Sequence, residues 1–175
     1  MVRRGGALVS VPAAWKTRLI DFGSGPVPAT TIPWGDVATA FHTTGIGDIE
    51  VYIAVPAKTR RLMIASRYLG WLLGALPVRA LLLRAVRKRA PGPSDRARAR
   101  GVSRLWGEVT DPQGGRATAR LTGPEGYTLT ALTAVAVIEK VLAGVVRPGF
   151  QTPSLAFGAD FVLEIEGVKR DDLEL

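Results

Sequence analysis

The chain has no cysteine and only one histidine among its 175 residues. Without cysteine it can form neither a disulfide nor a thiolate metal site, and it has no cysteine nucleophile. A zinc site would then have to be built mostly from carboxylates, which zinc rarely favours. We therefore expect no metal site.

A glycine loop for a nucleotide cofactor is also missing. Dinucleotide-binding domains place G-x-G-x-x-G between a strand and a helix, so that the pyrophosphate meets the helix N-terminus. Here Gly23-Ser24-Gly25 is followed by Pro26, and Gly45-Ile46-Gly47 is followed by a strand-like run. A P-loop, a nucleophile elbow and a kinase signature are absent too. We expect no nucleotide to bind to this chain alone.

Long apolar runs are scarce as well. The most apolar window, Leu62–Leu83, is interrupted by Arg67, Pro77 and Arg79. A membrane-spanning helix needs about 20 apolar residues, and each central arginine costs roughly 2.5–3.5 kcal/mol on insertion. These interruptions disfavour a spanning helix.

The overall composition is that of a globular protein. Hydrophobic residues make up 47% of the chain and no low-complexity tract occurs. A chain of this length can bury roughly 70% of its unfolded surface, so we expect a single domain over residues 1–175. No apolar signal core follows Arg3 and Arg4. We expect a cytoplasmic protein, attached peripherally to membranes if its basic segment binds lipid.

Positive charge is concentrated in one segment of the chain. Lys58 to Arg104 holds 13 basic residues and one acid, Asp95, although the net charge of the whole chain is only +8. One interpretation is a pair of helices over residues 57–90 that pack on a sheet and expose a solvated basic face. Another is a helical hairpin lying on an anionic lipid surface. The residues that would meet lipid phosphates are Arg79, Arg84, Arg87, Lys88 and Arg89.

Nucleic acid is a third partner that this charge could attract. Binding of single strands combines cations with aromatic side chains on which bases stack. No aromatic residue lies between Trp71 and Trp106, and no nucleic-acid motif accompanies the charge. Nucleic acid is therefore disfavoured as a partner.

The N-terminal third predicts short strands and one helix. Strand-like runs over Ala7–Val11, Thr17–Phe22 and Pro28–Ile32 are separated by turn signals. Trp34–Thr44 mixes small and apolar residues and predicts a short helix that ends at a glycine. Asp48–Val55 alternates apolar and polar side chains and predicts a strand.

The middle of the chain predicts helices and then a hairpin. Residues 57–89 follow a helical pattern, in which Pro77 is placed to begin a second helix. Residues 90–100 indicate a polar connector. Leu105–Asp111 and Arg116–Leu121 flank a glycine turn and predict an antiparallel hairpin, with Thr118 and Arg120 on its wet face.

The C-terminal part predicts a helix and a last strand. Thr128–Ala143 is apolar nearly all round and predicts a buried helix. Residues 161–165 alternate and predict a strand whose wet face carries Glu164 and Glu166. Hairpins and long helices without repeated βα units indicate an α+β fold, with a mixed or antiparallel sheet and several packed helices.

Three stretches of the chain resemble a known family. They are Ile32–Pro56 (IPWGDVATAFHTTGIGDIEVYIAVP), Gly123–Ala131 (GPEGYTLTA) and Pro148–Phe161 (PGFQTPSLAFGADF). The chain resembles, from about Leu8 to about Val168, the C-terminal part of saccharopine dehydrogenase-like oxidoreductases. The resemblance is greatest to the bacterial members of the family that are related to trans-acting enoyl reductases.

The resemblance implies a role in hydride transfer. In the family an N-terminal Rossmann domain binds NADP or NAD, and the second domain covers the nicotinamide, builds the substrate pocket and often supports dimerisation. The reaction implied is hydride transfer to or from a C=N, C=O or C=C bond. Because the Rossmann domain is absent from this sequence, we expect a truncated, inactive domain that needs a nucleotide-binding partner and can form a homo-oligomer.

His42 is the first candidate for chemistry. As the only histidine it is the natural acid or base near neutral pH, although a lone histidine among small and apolar residues is often a hydrogen-bonded core residue. The resemblance supports a functional role, because an aromatic-His-Ser/Thr-Thr-Gly run is typical of the family's second domain at this place. Asp36, Thr43 and Thr44 could bind a substrate there or cap a helix.

A second group of candidates lies near the C-terminus. The resemblance implies a Gly126-Tyr127 pair opening a helix, with Tyr127 as a hydrogen-bond donor in hydride transfer. A helix N-terminus at Gly126 and Thr128 suits an anionic group, and the alternative is a plain cap with a buried tyrosine. Gln151 and Thr152 correspond to a family stretch near the domain interface, where binding and packing roles are both open.

Overall fold

The computed structural model describes residues 1–88, 92–145 and 148–173. In this part of the chain the fold is α+β, as the sequence predicts, with three small antiparallel sheets and several helices. We expected one domain, and the chain divides into two compact units. Unit 1 comprises Met1–Ile20 and Val27–Gly92, and unit 2 comprises Asp21–Pro26 and Pro93–Leu175.

Unit 1 begins with a tight hairpin. Strand β1 (Val2–Arg4) pairs antiparallel with β2 (Ala7–Val9) in the register Val2 to Val9 and Arg4 to Ala7. The turn residues Gly5 and Gly6 both have positive φ, which glycine adopts without steric cost. The apolar run Ala7–Val11 predicts β2, whereas β1, with two charged residues among its three, shows no strand pattern.

The main sheet of unit 1 has the strand order β3-β4-β5. These strands are β3 (Thr17–Asp21), β4 (Pro26–Thr31) and β5 (Tyr52–Ala54). The expected strand Asp48–Val55 is shorter than predicted, since only Tyr52–Ala54 pairs with β4. Ile49 instead exchanges backbone hydrogen bonds with Arg3, at 3.0 and 3.1 Å. The alternating run Asp48–Val55 therefore pairs partly with β1 and partly with β4. A sequence pattern cannot reveal this division.

Helix α1 (Asp36–Thr44) is fixed to the hairpin by a buried guanidinium. The helix ends as predicted at Gly45, whose N–H donates to the Phe41 carbonyl at 2.8 Å. Arg3 is only 6% exposed, and its Nε donates to the Val37 carbonyl at 2.9 Å. A terminal nitrogen donates to the Ala38 carbonyl at 3.1 Å, another donates to Gly6, and the cation lies 4.4 Å from the centre of the Phe41 ring.

Three helices follow in unit 1: α2 (Ala57–Ala65), α3 (Gly70–Gly74) and α4 (Leu76–Arg87). The predicted helical segment is thus confirmed, with Pro77 in the first turn of α4. None of the described side chains of α2 and α4 is buried, although Met63 of α2 lines a pocket together with Thr31 of β4. Among the helices of the described residues, none is long and apolar enough to cross a membrane.

Unit 2 is organised around a three-stranded antiparallel sheet. Its strands β6 (Val102–Thr110), β7 (Arg116–Pro124) and β8 (Lys169–Leu173) lie in sequence order. The hairpin of β6 and β7 is confirmed. Helix α5 (Asp95–Arg100) corrects the predicted connector over residues 90–100, of which 90 and 91 lie outside the described residues. Ser94 provides the local cause, because its hydroxyl accepts from the Ala97 N–H and so caps the helix.

The hairpin does not have the wet face that alternation predicts. Thr118 and Arg120 are half-buried, whereas the apolar Leu105 and Val109 are 50% and 51% exposed. The reason is a long-range ion pair, because Arg120 binds the Asp21 carboxylate at 2.8 Å and its backbone carbonyl at 2.8 Å. The backbone N–H of Gly23 contributes most to holding the pKa of Asp21 below its ordinary value.

Two predictions for the end of unit 2 are wrong. Helix α6 (Gly126–Leu142) forms, but it has no buried residue. Residues 161–165 do not form a strand, because Phe161–Glu164 is a 3₁₀ helix and Phe161 packs against Phe157 of helix α7 (Pro153–Phe157). Glu164 binds Lys140 at 2.9 Å instead of lying on a strand face. The last strand is β8, whose polar sequence pairs through its backbone and carries no apolar alternation.

We expect Arg3→Met to destabilise unit 1 by about 2–4 kcal/mol, because hydrogen bonds to a charged donor contribute about 1.5–3 kcal/mol each. Methionine keeps the length of the side chain but cannot donate to the three carbonyls. Urea unfolding followed by far-UV circular dichroism measures the loss. Arg61→Met, at an exposed position of α2, should change stability by no more than about 0.5 kcal/mol. Equal losses in the two variants would contradict the anchoring role of Arg3.

Candidate functional site

His42 lies in the last turn of α1, and its side chain is exposed. Its ring meets the Phe41 ring edge-on, with the ring centres 5.8 Å apart. The interpretation of His42 as a core residue is therefore wrong. Arg3 anchors the same helix through the carbonyls of Val37 and Ala38, and the exposed imidazole is accessible to a molecule that binds unit 1.

The polar neighbours of His42 have different tasks. The Thr44 hydroxyl donates to the Ala40 carbonyl at 2.8 Å and accepts from the Ile46 N–H at 3.2 Å, so it closes the helix end. Asp36 is exposed in the first turn of α1, where a carboxylate interacts favourably with the helix dipole. Thr43 is seven residues further on, so it lies on the same helix face as Asp36. Of these residues, Thr44 has the clearest structural role.

The start of α6 is capped by a residue that sequence reasoning missed. The Glu125 carboxylate accepts from the N–H groups of Tyr127 at 3.0 Å and Thr128 at 3.3 Å. An anionic ligand could reach these amides only by displacing Glu125. Tyr127 itself is 62% exposed, so its ring is not buried behind a plain cap. The signal in the sequence was the acid directly before Gly126, a position where N-caps accept from the following amides.

The entry to α7 is also a helix cap. Thr152 is 9% exposed, and its hydroxyl accepts from the Leu155 N–H at 3.3 Å, while Pro153 occupies the first turn. Gln151 is half-buried directly before this cap. Thr152 therefore has a structural role as a helix cap. Gln151, directly before it, remains a candidate for binding.

The candidate residues fall into separate sets. Unit 1 holds Asp36, His42, Thr43 and Thr44 on one helix, and unit 2 holds the Tyr127 and Thr152 segments on two helices. Each set is positioned by the local backbone geometry of its own helices and lies within a single unit.

The basic candidates lie on α4 and at its C-terminal end. Arg79, Arg84, Arg87 and Lys88 are exposed, and within the described residues none of the four forms an ion pair. Arg89 lies outside the described residues. Arg67, at the end of α2, has a different task, because its guanidinium donates to the carbonyls of Ala13 and Ala14. The four cations of α4 are thus available to an external anion.

A further cluster in unit 1 was not singled out by sequence reasoning. We call it the Glu50 cluster, and it comprises Arg4, Trp15, Lys16, Glu50 and Tyr52. One Glu50 oxygen accepts from Arg4 and, at 2.5 Å, from Lys16, while the other accepts from the Tyr52 hydroxyl. Arg4 and Lys16 lie 5.6 and 4.6 Å from the centre of the Trp15 ring.

Charge is unevenly matched in the Glu50 cluster. Two cations share a single oxygen of one carboxylate that is only 15% exposed. Burial raises the pKa of Tyr52 above its ordinary value, and the positive charges of Arg18 and Arg4 oppose the rise. The phenol therefore keeps its proton at neutral pH and donates a hydrogen bond to Glu50. The only sequence signal was that Glu50 and Tyr52 fall on the polar side of an alternating run.

Comparison with protein-family models, with curated proteins and with solved structures finds no match to this chain. Across residues 1–88, 92–145 and 148–173, no group of three histidine, aspartate or glutamate side chains is arranged to hold a metal ion. The candidate sites therefore rest on their own geometry and chemistry.

We expect Glu125→Ala to destabilise unit 2 by about 1 kcal/mol, because it removes the acceptor for two orphan amides at the start of α6. Amide hydrogen exchange at Tyr127 and Thr128 should accelerate. The matched control is Glu139→Ala on the exposed side of the same helix, for which we expect a change within about 0.5 kcal/mol. Unchanged exchange at the helix start would show that Glu125 is not its cap.

Proposed function

We propose that this chain is a substrate-binding and dimerisation domain of a saccharopine dehydrogenase-like oxidoreductase. It takes part in NAD(P)-dependent hydride transfer only when a nucleotide-binding domain completes it. The observation that carries the proposal is the set of three motif stretches, Ile32–Pro56, Gly123–Ala131 and Pro148–Phe161. Each contains or borders the start of a helix: α1, α6 and α7 respectively.

The local geometry supports functional roles for two side chains. His42 and Tyr127 are both exposed on well-formed helices, where their rings can meet a bound molecule. An imidazole can transfer a proton at neutral pH, and a phenol can donate a hydrogen bond to a developing oxyanion. Asp36, Thr43 and Gln151 offer polar contacts for a substrate, while Thr44, Gly126, Thr128 and Thr152 maintain the helix ends.

The first test measures cofactor binding and reconstitution. We expect the chain alone to leave NADPH fluorescence unchanged. Mixed with the Rossmann domain of a saccharopine dehydrogenase-like protein, it should bind that domain and support NADPH oxidation with an imine or enoyl substrate. His42→Gln should then lower kcat by about 10²–10⁴-fold, the usual contribution of a general acid or base. Thr39→Ala, on an exposed position of the same helix, is the matched control.

Two results would overturn this proposal. One is tight NADPH binding by the chain alone, because the domain would then carry its own cofactor site. The other is a reconstituted enzyme whose kcat is the same with His42→Gln as with Thr39→Ala.

A second candidate function is association with anionic lipid surfaces, which the exposure of α2, α3 and α4 favours. The side chains of Tyr68, Trp71 and Leu76 in this segment are 77%, 77% and 79% exposed. Leu62 and Leu81 are also more than 60% exposed. Several large apolar side chains exposed within one short segment are what a surface-binding element requires. Such a surface fits the acyl boundary of a membrane, where tyrosine and tryptophan are enriched.

The charge of this segment favours one kind of lipid surface. Every charged residue between Lys58 and Lys88 is basic. An interfacial helix with an apolar face and a lysine- and arginine-rich polar face binds where anionic headgroups meet acyl chains. The segment therefore suits an anionic bilayer better than a zwitterionic one.

We expect the protein to float with vesicles that contain phosphatidylserine and to remain unbound with phosphatidylcholine alone. Replacing Arg79, Arg84, Arg87 and Lys88 together by Gln should weaken vesicle binding roughly a thousand-fold, since each surface cation contributes about 1 kcal/mol. Replacing Arg96, Arg98, Arg100 and Arg104 by Gln removes the same charge from unit 2 and is the matched control. Equal weakening by both variants would show that net charge, and not this segment, governs binding.

A further inference from the structure

Unit 1 contains a small, mostly apolar pocket that neither proposed function uses as a binding site. Its volume is about 220 Å³, and its apolar lining is contributed mainly by Met1, Val11, Pro12, Ile32, Pro33 and Met63. An apolar cavity of about 150 Å³ can stay dry and bind a ligand as large as benzene. This pocket, which is partly open to solvent and mostly apolar, therefore has room for a short alkyl chain.

The Glu50 cluster adjoins the cavity through Thr31, which also lines it. On one side, the backbone N–H of Lys16 donates to the Thr31 hydroxyl and the Thr31 N–H donates to the Lys16 carbonyl, both at 3.1 Å. On the other side, Thr31 stands directly opposite Tyr52 in the pairing of β4 with β5. Directly opposite side chains in a sheet have Cβ atoms about 4.5–5.5 Å apart. Cavity and cluster are therefore immediate neighbours.

The cations at this border are anchored and still accessible. The side chains of Arg4 and Lys16 are 34% and 46% exposed, although both bind one oxygen of Glu50. Because Arg4 and Lys16 share one oxygen of Glu50, their two positive charges exceed the single negative charge of the carboxylate. Both cations also interact with the ring of Trp15, which holds them beside Glu50. An anionic group would relieve the repulsion between two cations held at the same oxygen.

We propose that unit 1 binds a monomeric anionic amphiphile, with a short alkyl chain in the cavity and a phosphate or carboxylate head at Arg4 and Lys16. The apolar lining selects the chain, and the excess of cations over carboxylate selects the head. Glu50 and Tyr52 hold the two cations in place and do not bind the ligand themselves. The inference rests on neither function proposed above.

Isothermal titration with octyl phosphate, kept below its micelle concentration, tests the site. Octanol supplies the chain alone and inorganic phosphate supplies the head alone. We expect saturable one-to-one binding of octyl phosphate, at least ten-fold tighter than binding of either part. No saturable binding, or equal affinity for octanol and octyl phosphate, would overturn the proposal.

Variants separate the two halves of the site. Lys16→Gln should weaken octyl phosphate binding at least ten-fold, whereas Lys169→Gln, an exposed lysine of unit 2, should leave it unchanged. Val11→Phe should fill the cavity and abolish the advantage of octyl phosphate over phosphate, with circular dichroism confirming that it folds. Equal losses with Lys16→Gln and Lys169→Gln would contradict a defined head site.

A further variant distinguishes this site from adsorption to the exposed helices. The protein with Gln at positions 79, 84, 87 and 88 should keep one-to-one binding of octyl phosphate, even where it no longer floats with vesicles. If that variant loses octyl phosphate binding while Lys16→Gln retains it, the amphiphile adsorbs to α4 and the cavity proposal is wrong.

Discussion

The architecture of unit 1 depends on a guanidinium that is buried without a carboxylate. Within the described residues Arg3 forms no ion pair, and carbonyl oxygens together with the Phe41 ring solvate its charge. Burying an unsolvated charge is very unfavourable, so these contacts must all form together. They join the first hairpin to α1, while the Arg3 backbone joins the same hairpin to Ile49. One residue thus fixes the position of the helix that displays His42.

Near Arg3, two backbone segments of unit 1 approach each other closely at Gly6 and Gly47. The N–H of Gly6 donates to the Gly47 carbonyl at 3.0 Å, and a Cβ atom at position 47 would lie only 3.1 Å from the Gly6 nitrogen. Glycine at position 47 is therefore explained by packing. The strand-like run that follows Gly45-Ile46-Gly47 already excludes it as a glycine loop for a nucleotide, and the close approach to Gly6 gives Gly47 a steric reason.

Periodicity predicted the presence of several elements but not which of their side chains are buried. The β6–β7 hairpin, α1 and α4 follow from alternation, helical spacing and the positions of Pro77 and Gly45. It failed where partners distant in sequence decide the outcome. Arg120 is half-buried because it binds Asp21, and residues 161–165 alternate although Phe161 packs on Phe157 in a 3₁₀ turn. The candidate residues came from the resemblance, but the Glu125 cap and the Glu50 cluster needed coordinates, since no local pattern links their members.

Unit 2 is discontinuous along the chain, because Asp21–Pro26 belongs to it although unit 1 supplies the residues on both sides. Arg120 finds its carboxylate in that short insertion. A protease that cuts between residues 88 and 92 would therefore not release two self-sufficient halves. The N-terminal fragment would carry away a piece of the other fold, and the C-terminal fragment would lose the partner of a half-buried cation. The two fragments would have to remain associated, or re-associate as a complementing pair, for either to keep its native form.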